Sequence, residues 1–215
     1  VYKGILLPEE ICLSWAAIQL GHPLKWLEDR RENLIASSNC REHHYTITVY
    51  GVANGKLLAI DAEATVDAGA YSSYPFSACL EAAQVVSILP GVYDLEGYRC
   101  RTYAVATNKP PILPYRGVAR CGVCTALELM VDALARELAI EPTEVRFQSL
   151  IGPEQMPFNN ITSKHFDSGD YPESLRQVID TIDLGSIRSR QQRGEADGRR
   201  IGIGFAMYTE QGAHG

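Results

Sequence analysis

Two arginines, Arg116 and Arg120, bracket the segment Tyr115-Arg116-Gly117-Val118-Ala119-Arg120, and a strongly periodic helix opens directly behind it. A guanidinium is planar and permanently charged, so beside a helix N-terminus it suits an anionic, oxygen-rich group. The helix end adds N–H donors that have no partner within the helix. Gly117 and Gly122 allow the backbone to come close to whatever is held. On residue type alone, Arg116 could equally cap carbonyls or pair with a carboxylate. Arg120 fits a structural ion pair at least as well.

Cys121-Gly-Val-Cys124 offers a different chemistry. A CxxC pair at a helix N-terminus is the arrangement that lowers a thiol pKa, so a thiol redox protein using Cys121 and Cys124 is an alternative reading. Against it, the motif follows a proline-rich loop rather than a buried strand, and no second CxxC completes a zinc site. Both cysteines are therefore expected to be small apolar side chains packed beneath the loop. His43 and His44 are adjacent at a strand start and point to opposite faces, one packed and one exposed, so they do not chelate together. No protein-held metal site is expected. Phe158 is expected to pin its own loop to the core.

The elements that must position these residues follow from the pattern. Pro8-Glu9-Glu10 opens a helix that runs to Gly21, with Ile11, Trp15 and Ile18 on one face. Residues 24–29 read as a short strand, and Arg30 to Ser37 as a turn or short helix. From Tyr45 the period changes to two, Asn54-Gly55 supplies a hairpin turn, and Leu58 to Asp67 returns. After a glycine- and serine-rich crossing, Phe76 to about Leu89 reads as a helix and Tyr98 to Thr107 as a strand. The helix over Gly122 to Ala139 carries the stripe Val123, Leu127, Met130, Val131, Leu134 and Leu138. A short helix starts at Pro142, another ends near Asp183, the basic run from Ile187 to Arg200 is a solvated helix and loop, and Ile201 to Tyr208 reads as a strand. Strands and helices mix without strict alternation, so the class is α+β.

Composition narrows the function. With 215 residues and ordinary hydrophobic (46%) and charged (21%) fractions, the chain can bury one core or two small ones. A net charge of −6 disfavours a nucleic-acid partner. The apolar runs are too short and too charged to span a membrane. Six scattered cysteines suit a reducing compartment, hence a cytoplasmic location. The first residue is Val1 and the chain reads as a piece of something longer.

The stretch TNKPP…PYRGVAR, followed by ALE..VD.LARELAI.P.EVR…LI, resembles the molybdenum hydroxylases, the xanthine dehydrogenase and aldehyde oxidase family, in their large molybdopterin-binding subunit. Further pieces agree in order: Lys3 to Glu10, PLKWLEDRRENL at 23–34, VDAGAY at 66–71, LPGVYDLEGY at 89–98 and DSGDYPE at 167–173. The resemblance covers residues 1–215 and implies mixed strands and helices, as in that family's molybdopterin-binding domain, with a subdomain boundary near 107–115. It implies oxidative hydroxylation of an aldehyde or N-heteroaromatic carbon with water as oxygen source. It also implies molybdopterin-bound molybdenum, in a cytosine dinucleotide form among others, and iron–sulfur clusters and FAD on partner subunits or domains of a hetero-oligomer. Arg116 would lie against the molybdenum centre, with Tyr115 and Gly117 holding the cofactor. No catalytic residue falls in this chain, because the family's base glutamate is expected downstream. Val118, Gln84 and Gly4 take the places where purine-oxidising members carry an aromatic ring and two charged contacts, so purines are disfavoured as substrate. Gly117 replaces the copper-binding cysteine of carbon-monoxide-oxidising members. A non-catalytic remnant or assembly subunit of such an enzyme is the remaining alternative.

Overall fold

The structure, a computed structural model, describes residues 6–72 and 79–210. Helix α1 spans Pro8–Leu20, and the Glu10 carboxylate accepts the Leu7 N–H at 2.8 Å to close its first turn. Helix α2, Arg30–Ala36, has a reciprocal cap. Asp29 accepts from Glu32 N–H at 2.8 Å, and Glu32 returns to the Asp29 N–H at 2.9 Å. Strands β1 (His43–Gly51), β2 (Leu57–Gly69) and β3 (Gly97–Ala106) form one sheet in that order. Helices α3 (Cys79–Ile88), α4 (Arg120–Leu138), α5 (Pro142–Phe147), α6 (Tyr171–Ile182) and α7 (Leu184–Arg193) follow, with a 3-10 turn at Pro153–Gln155. Two short strands, β4 (Phe158–Asn159) and β5 (His165–Phe166), pair antiparallel. The fold is α+β. Among the described residues no helix is long and apolar enough to cross a membrane.

The chain divides into two compact units. The first comprises Val1–Tyr45, Ala64–Val86 and Arg101–Gly122; the second comprises Thr46–Glu63, Ser87–Cys100 and Val123–Gly215. In the first, Ala64, Val66, Ala82, Val85, Ile112 and Leu113 are buried. In the second, α4 presents Val123, Leu127, Val131 and Ala135 to a core that includes Leu57, Ile60, Val92 and Val145. That face repeats every four residues, part of the spacing of three and four expected of α4, whereas Met130, Leu134 and Leu138 are only half-buried. Phe158, half-buried in β4, pairs with Phe166 of β5, and their ring centres stand 6.4 Å apart.

A buried polar network sits inside the second unit. Arg146 is fully buried and donates from Nε and Nη2 to Glu128 at 2.9 and 2.7 Å. Its Nη1 reaches Asp132 at 2.8 Å and the Pro142 carbonyl at 3.0 Å, and Nη2 also reaches the Phe205 carbonyl at 2.9 Å. Tyr93 donates to the other Glu128 oxygen at 2.6 Å. Burial first, and then the Glu128 charge, hold the Tyr93 phenol well above its ordinary value, so it remains a donor.

Two expected strands do not form. Residues 24–29 have no ladder, and Trp26 and Leu27 are exposed there. Residues 201–210 are likewise outside any sheet, although burial alternates along them. Their carbonyls are taken by side chains: Arg146 holds Phe205, and Gln191 Nε2 holds Ile201 at 2.9 Å. An extended run with a period of two becomes a strand only if a neighbouring strand supplies its hydrogen bonds. The expected start of α3 at Phe76 lies outside the described residues.

Candidate functional site

The site lies in the first unit, and the end of β2 builds it. Gly69 has φ 68, and a Cβ there would stand 2.3 Å from the Pro110 carbonyl oxygen and 2.6 Å from the Pro111 Cα. The glycine therefore lets the approach segment 107–113 lie directly on β2. Backbone bonds hold it there: Thr107 N–H to the Gly69 carbonyl at 3.0 Å, Ala70 N–H to the Lys109 carbonyl at 3.0 Å, and Ile112 N–H to the Ala68 carbonyl at 3.2 Å. Asp67 ties both strands of this crossing. It accepts from the Gly69 N–H at 2.7 Å and the Thr107 hydroxyl at 2.8 Å, and Lys109 Nζ lies 3.0 Å away while also bonding Glu42.

Burial opposes ionisation of Asp67, but the Gly69 amide, Lys109 and Thr107 together outweigh it and hold its carboxyl below the ordinary 3.8. Folding therefore favours the ionised form. Its stabilisation is fully present above the unfolded value of about 3.9 and is lost as pH falls through the lower folded value. Acid unfolding followed by circular dichroism should be steeper below pH of about 4 in the parent than in Asp67→Asn. Identical acid limbs for the two proteins would remove Asp67 from this role.

The approach delivers Tyr115 to Arg120 as a turn. Val118 N–H reaches the Tyr115 carbonyl at 2.8 Å, and Arg120 N–H reaches the Gly117 carbonyl at 2.9 Å. Gly117 at φ 90 and Ala119 at φ 58 set the bend from which α4 starts. The side chain of Arg116 is exposed, and its guanidinium has no hydrogen bond or ion pair among the described residues. That sets it apart from the other arginines of the site. Val118 and Tyr115 are half-buried. Gln84 is half-buried on α3, one turn beyond Glu81, and Gly4 lies outside the described residues.

Beneath the turn, His43 shares a 2.7 Å hydrogen bond with the Tyr45 hydroxyl and stands 3.6 Å from the buried Glu81 carboxylate. His44 is exposed, as the alternation of a strand requires. A Cβ at Gly122 would meet the Tyr45 hydroxyl at 2.9 Å and His43 Nδ1 at 3.0 Å. The close approach expected at Gly122 is thus to these side chains. Cys121 is exposed and Cys124 half-buried, which corrects the expectation that both are buried beneath the loop; Cys121 Sγ stands 3.8 Å from where a side chain at Gly117 would begin. The Cys40 thiol is pushed up by burial, so it is a poor nucleophile. No group of three or more potential metal ligands gathers among the described residues.

Arg41, in the segment just before β1, is the residue that motif reading missed. Its guanidinium donates to the Arg116 carbonyl and lies over the Tyr115 ring at 4.7 Å. No local signal marks it, because its partners are 75 positions away in the chain.

The site thus combines an exposed guanidinium, unpaired among the described residues, with a glycine turn at a helix start. The family described as the molybdopterin cofactor-binding domain matches residues 2–150, and the chain belongs to that family, in the xanthine dehydrogenase and aldehyde oxidase group. The nicotine 6-hydroxylase large subunit of Paenarthrobacter nicotinovorans is 30% identical over 209 residues, covering 97% of this chain and 25% of that protein. The carbon monoxide dehydrogenase large chain of Hydrogenophaga pseudoflava is 33% identical over 218 residues, covering 95% of this chain and 26% of that one. Among solved structures, quinoline 2-oxidoreductase from Pseudomonas putida 86 superposes with a TM-score of 0.85 at 30% identity, over 91% of this chain and 25% of that one. The chain thus spans about a quarter of the length of the relatives it matches.

Proposed function

We infer that this chain is the cofactor-loop segment of a molybdenum hydroxylase, in which Arg116, with the backbone of Tyr115 and Gly117, holds the pterin-bound molybdenum cofactor. The observation that carries this reading is the exposed Arg116 guanidinium, unpaired among the described residues, on a turn whose Gly117 has φ 90. The residues fit such a group: a permanently charged cation is exposed, and the glycine leaves the backbone uncovered. When bound, the cofactor supplies the oxidation chemistry of a hydroxylation with water as oxygen source, and the protein supplies placement and charge. Arg116 contributes a charge that needs no reorganisation during the reaction. Val118 forms an apolar wall beside the substrate, with Gln84 on the same side; the resemblance assigns a substrate contact to Gly4 as well, outside the described residues. These neutral positions favour an aldehyde or an N-heteroaromatic compound. The nicotine and quinoline enzymes among the relatives support the latter class. The cytosine dinucleotide form of the pterin, iron–sulfur and flavin partners, and a hetero-oligomeric assembly belong to the same reading. The relatives named large subunit and large chain support the assembly.

Arg116→Ala in the full enzyme should lower kcat/KM by about 10²–10³-fold, the loss typical of removing one preorganised donor. Unfolding temperature should stay near that of the parent, because the side chain makes no contact that the fold uses. Steady-state kinetics beside elemental molybdenum analysis is the measurement. Near-parental turnover with full molybdenum content would place the cofactor elsewhere.

A further inference from the structure

Arg41 stands at φ 66, a left-handed conformation strained for any residue that carries a Cβ. Its backbone surroundings are fixed. Asn39 N–H reaches the Pro111 carbonyl at 2.8 Å, Leu113 N–H reaches the Asn39 carbonyl at 3.0 Å, and Asp67 N–H reaches the Glu42 carbonyl at 3.0 Å. From that anchored point the guanidinium touches the turn in two ways. Nη2 donates to the Arg116 carbonyl, and the group lies 4.7 Å above the centre of the Tyr115 ring. Nη2 also stands 3.7 Å from where a side chain at Gly117 would begin. The Nε is closed off from solvent and has no hydrogen-bond partner among the described residues, so the cation is partly desolvated against the ring.

We propose that Arg41 is a positioning residue for the cofactor loop. It fixes the Arg116 carbonyl and the Tyr115 ring, and so aims the Arg116 guanidinium, without itself touching the cofactor. The proposal rests on the reading of Tyr115 to Gly117 as the cofactor-holding turn. A lysine cannot replace it, because a point donor can reach the carbonyl or lie over the ring, but has no planar fork to do both.

The test uses the complete enzyme carrying Arg41→Ala, Arg41→Lys or Tyr115→Leu, with hydrogen–deuterium exchange beside steady-state kinetics. In Arg41→Ala and Tyr115→Leu, exchange in the peptide 115–121 should rise about tenfold while peptides of the second unit stay unchanged. In Arg41→Ala, kcat should fall roughly 10- to 100-fold, as expected of a displaced catalytic group. KM should stay within about twofold. Arg41→Lys should resemble Arg41→Ala. Unchanged exchange at 115–121 in Arg41→Ala, or full recovery of kcat by lysine, overturns the proposal. If Arg41→Ala does not assemble, unchanged exchange in Tyr115→Leu overturns it instead. Arg116→Ala separates the two readings. Impaired turnover there with normal Arg41→Ala kinetics rejects only the positioning role. Normal turnover in Arg116→Ala rejects the cofactor reading, and the exchange result still decides whether Arg41 holds the turn.

Discussion

Arg146→Ala should destabilise the second unit by roughly 3–5 kcal/mol, the cost of removing one partner from a buried ion pair. The reason is what the change leaves behind. Glu128 is 4% exposed, and after losing two guanidinium bonds it would keep the Tyr93 hydroxyl and the Met207 backbone N–H as donors but no opposite charge. Asp132, with 19% of its side chain exposed, can recruit water and contributes less. The Phe205 and Pro142 carbonyls also lose a donor, so the extended 201–208 segment should detach first. A double change, Arg146→Met with Glu128→Met, should cost clearly less than the sum of the two single changes, because it strands no charge. Urea unfolding followed by far-ultraviolet circular dichroism measures both. A single-variant loss below about 1 kcal/mol would mean that water already reaches the pair.

That network also marks where sequence reading stopped. The alternation of Ile201, Ile203, Phe205 and Met207 is visible in the chain, and the same residues are half-buried while their neighbours are exposed. The pattern says that the segment is extended. It cannot say that its carbonyls go to Arg146 and Gln191 rather than to a strand, because a ladder is a property of two segments. Residues 24–29 failed for the same reason. The helices were legible because their signals are local: the proline and acids that open α1, and the apolar spacing in α4. At the site, the turn from Tyr115 to Arg120 was legible through its glycine and its helix. Arg41 was not, since one arginine before a strand looks like any surface cation until the fold brings Tyr115 beneath it. Cys121 was expected buried but is exposed, because a CxxC at a helix start does not specify how deeply that end of the helix is covered.

Gly69→Ala is the change that tests how the turn is carried into place, and it should destabilise the first unit by roughly 2–5 kcal/mol. Two costs combine: a left-handed backbone with a Cβ, about 1–2 kcal/mol, and overpacking of a close contact, about 1–3 kcal/mol. They can be separated within the same unit. Gly21 has φ 67 but nothing within 4 Å of its Cβ position, so Gly21→Ala carries the backbone cost alone. At Gly69 the obstructing atoms are the Pro110 carbonyl oxygen, the Pro111 Cα and the Ile112 nitrogen, all backbone, and none can rotate away as a side chain would. The approach segment must therefore lift off β2. Doing so breaks the Thr107 and Ile112 bonds and moves Asn39's partners, Pro111 and Leu113, away from the segment that presents Arg41. Turnover of Gly69→Ala should consequently fall even at temperatures where the fold persists, whereas Gly21→Ala should lose stability alone. Equal stability losses in the two variants, with parental turnover in both, would mean that segment 107–113 does not rest on β2 and that the Arg116 turn is supported by something else.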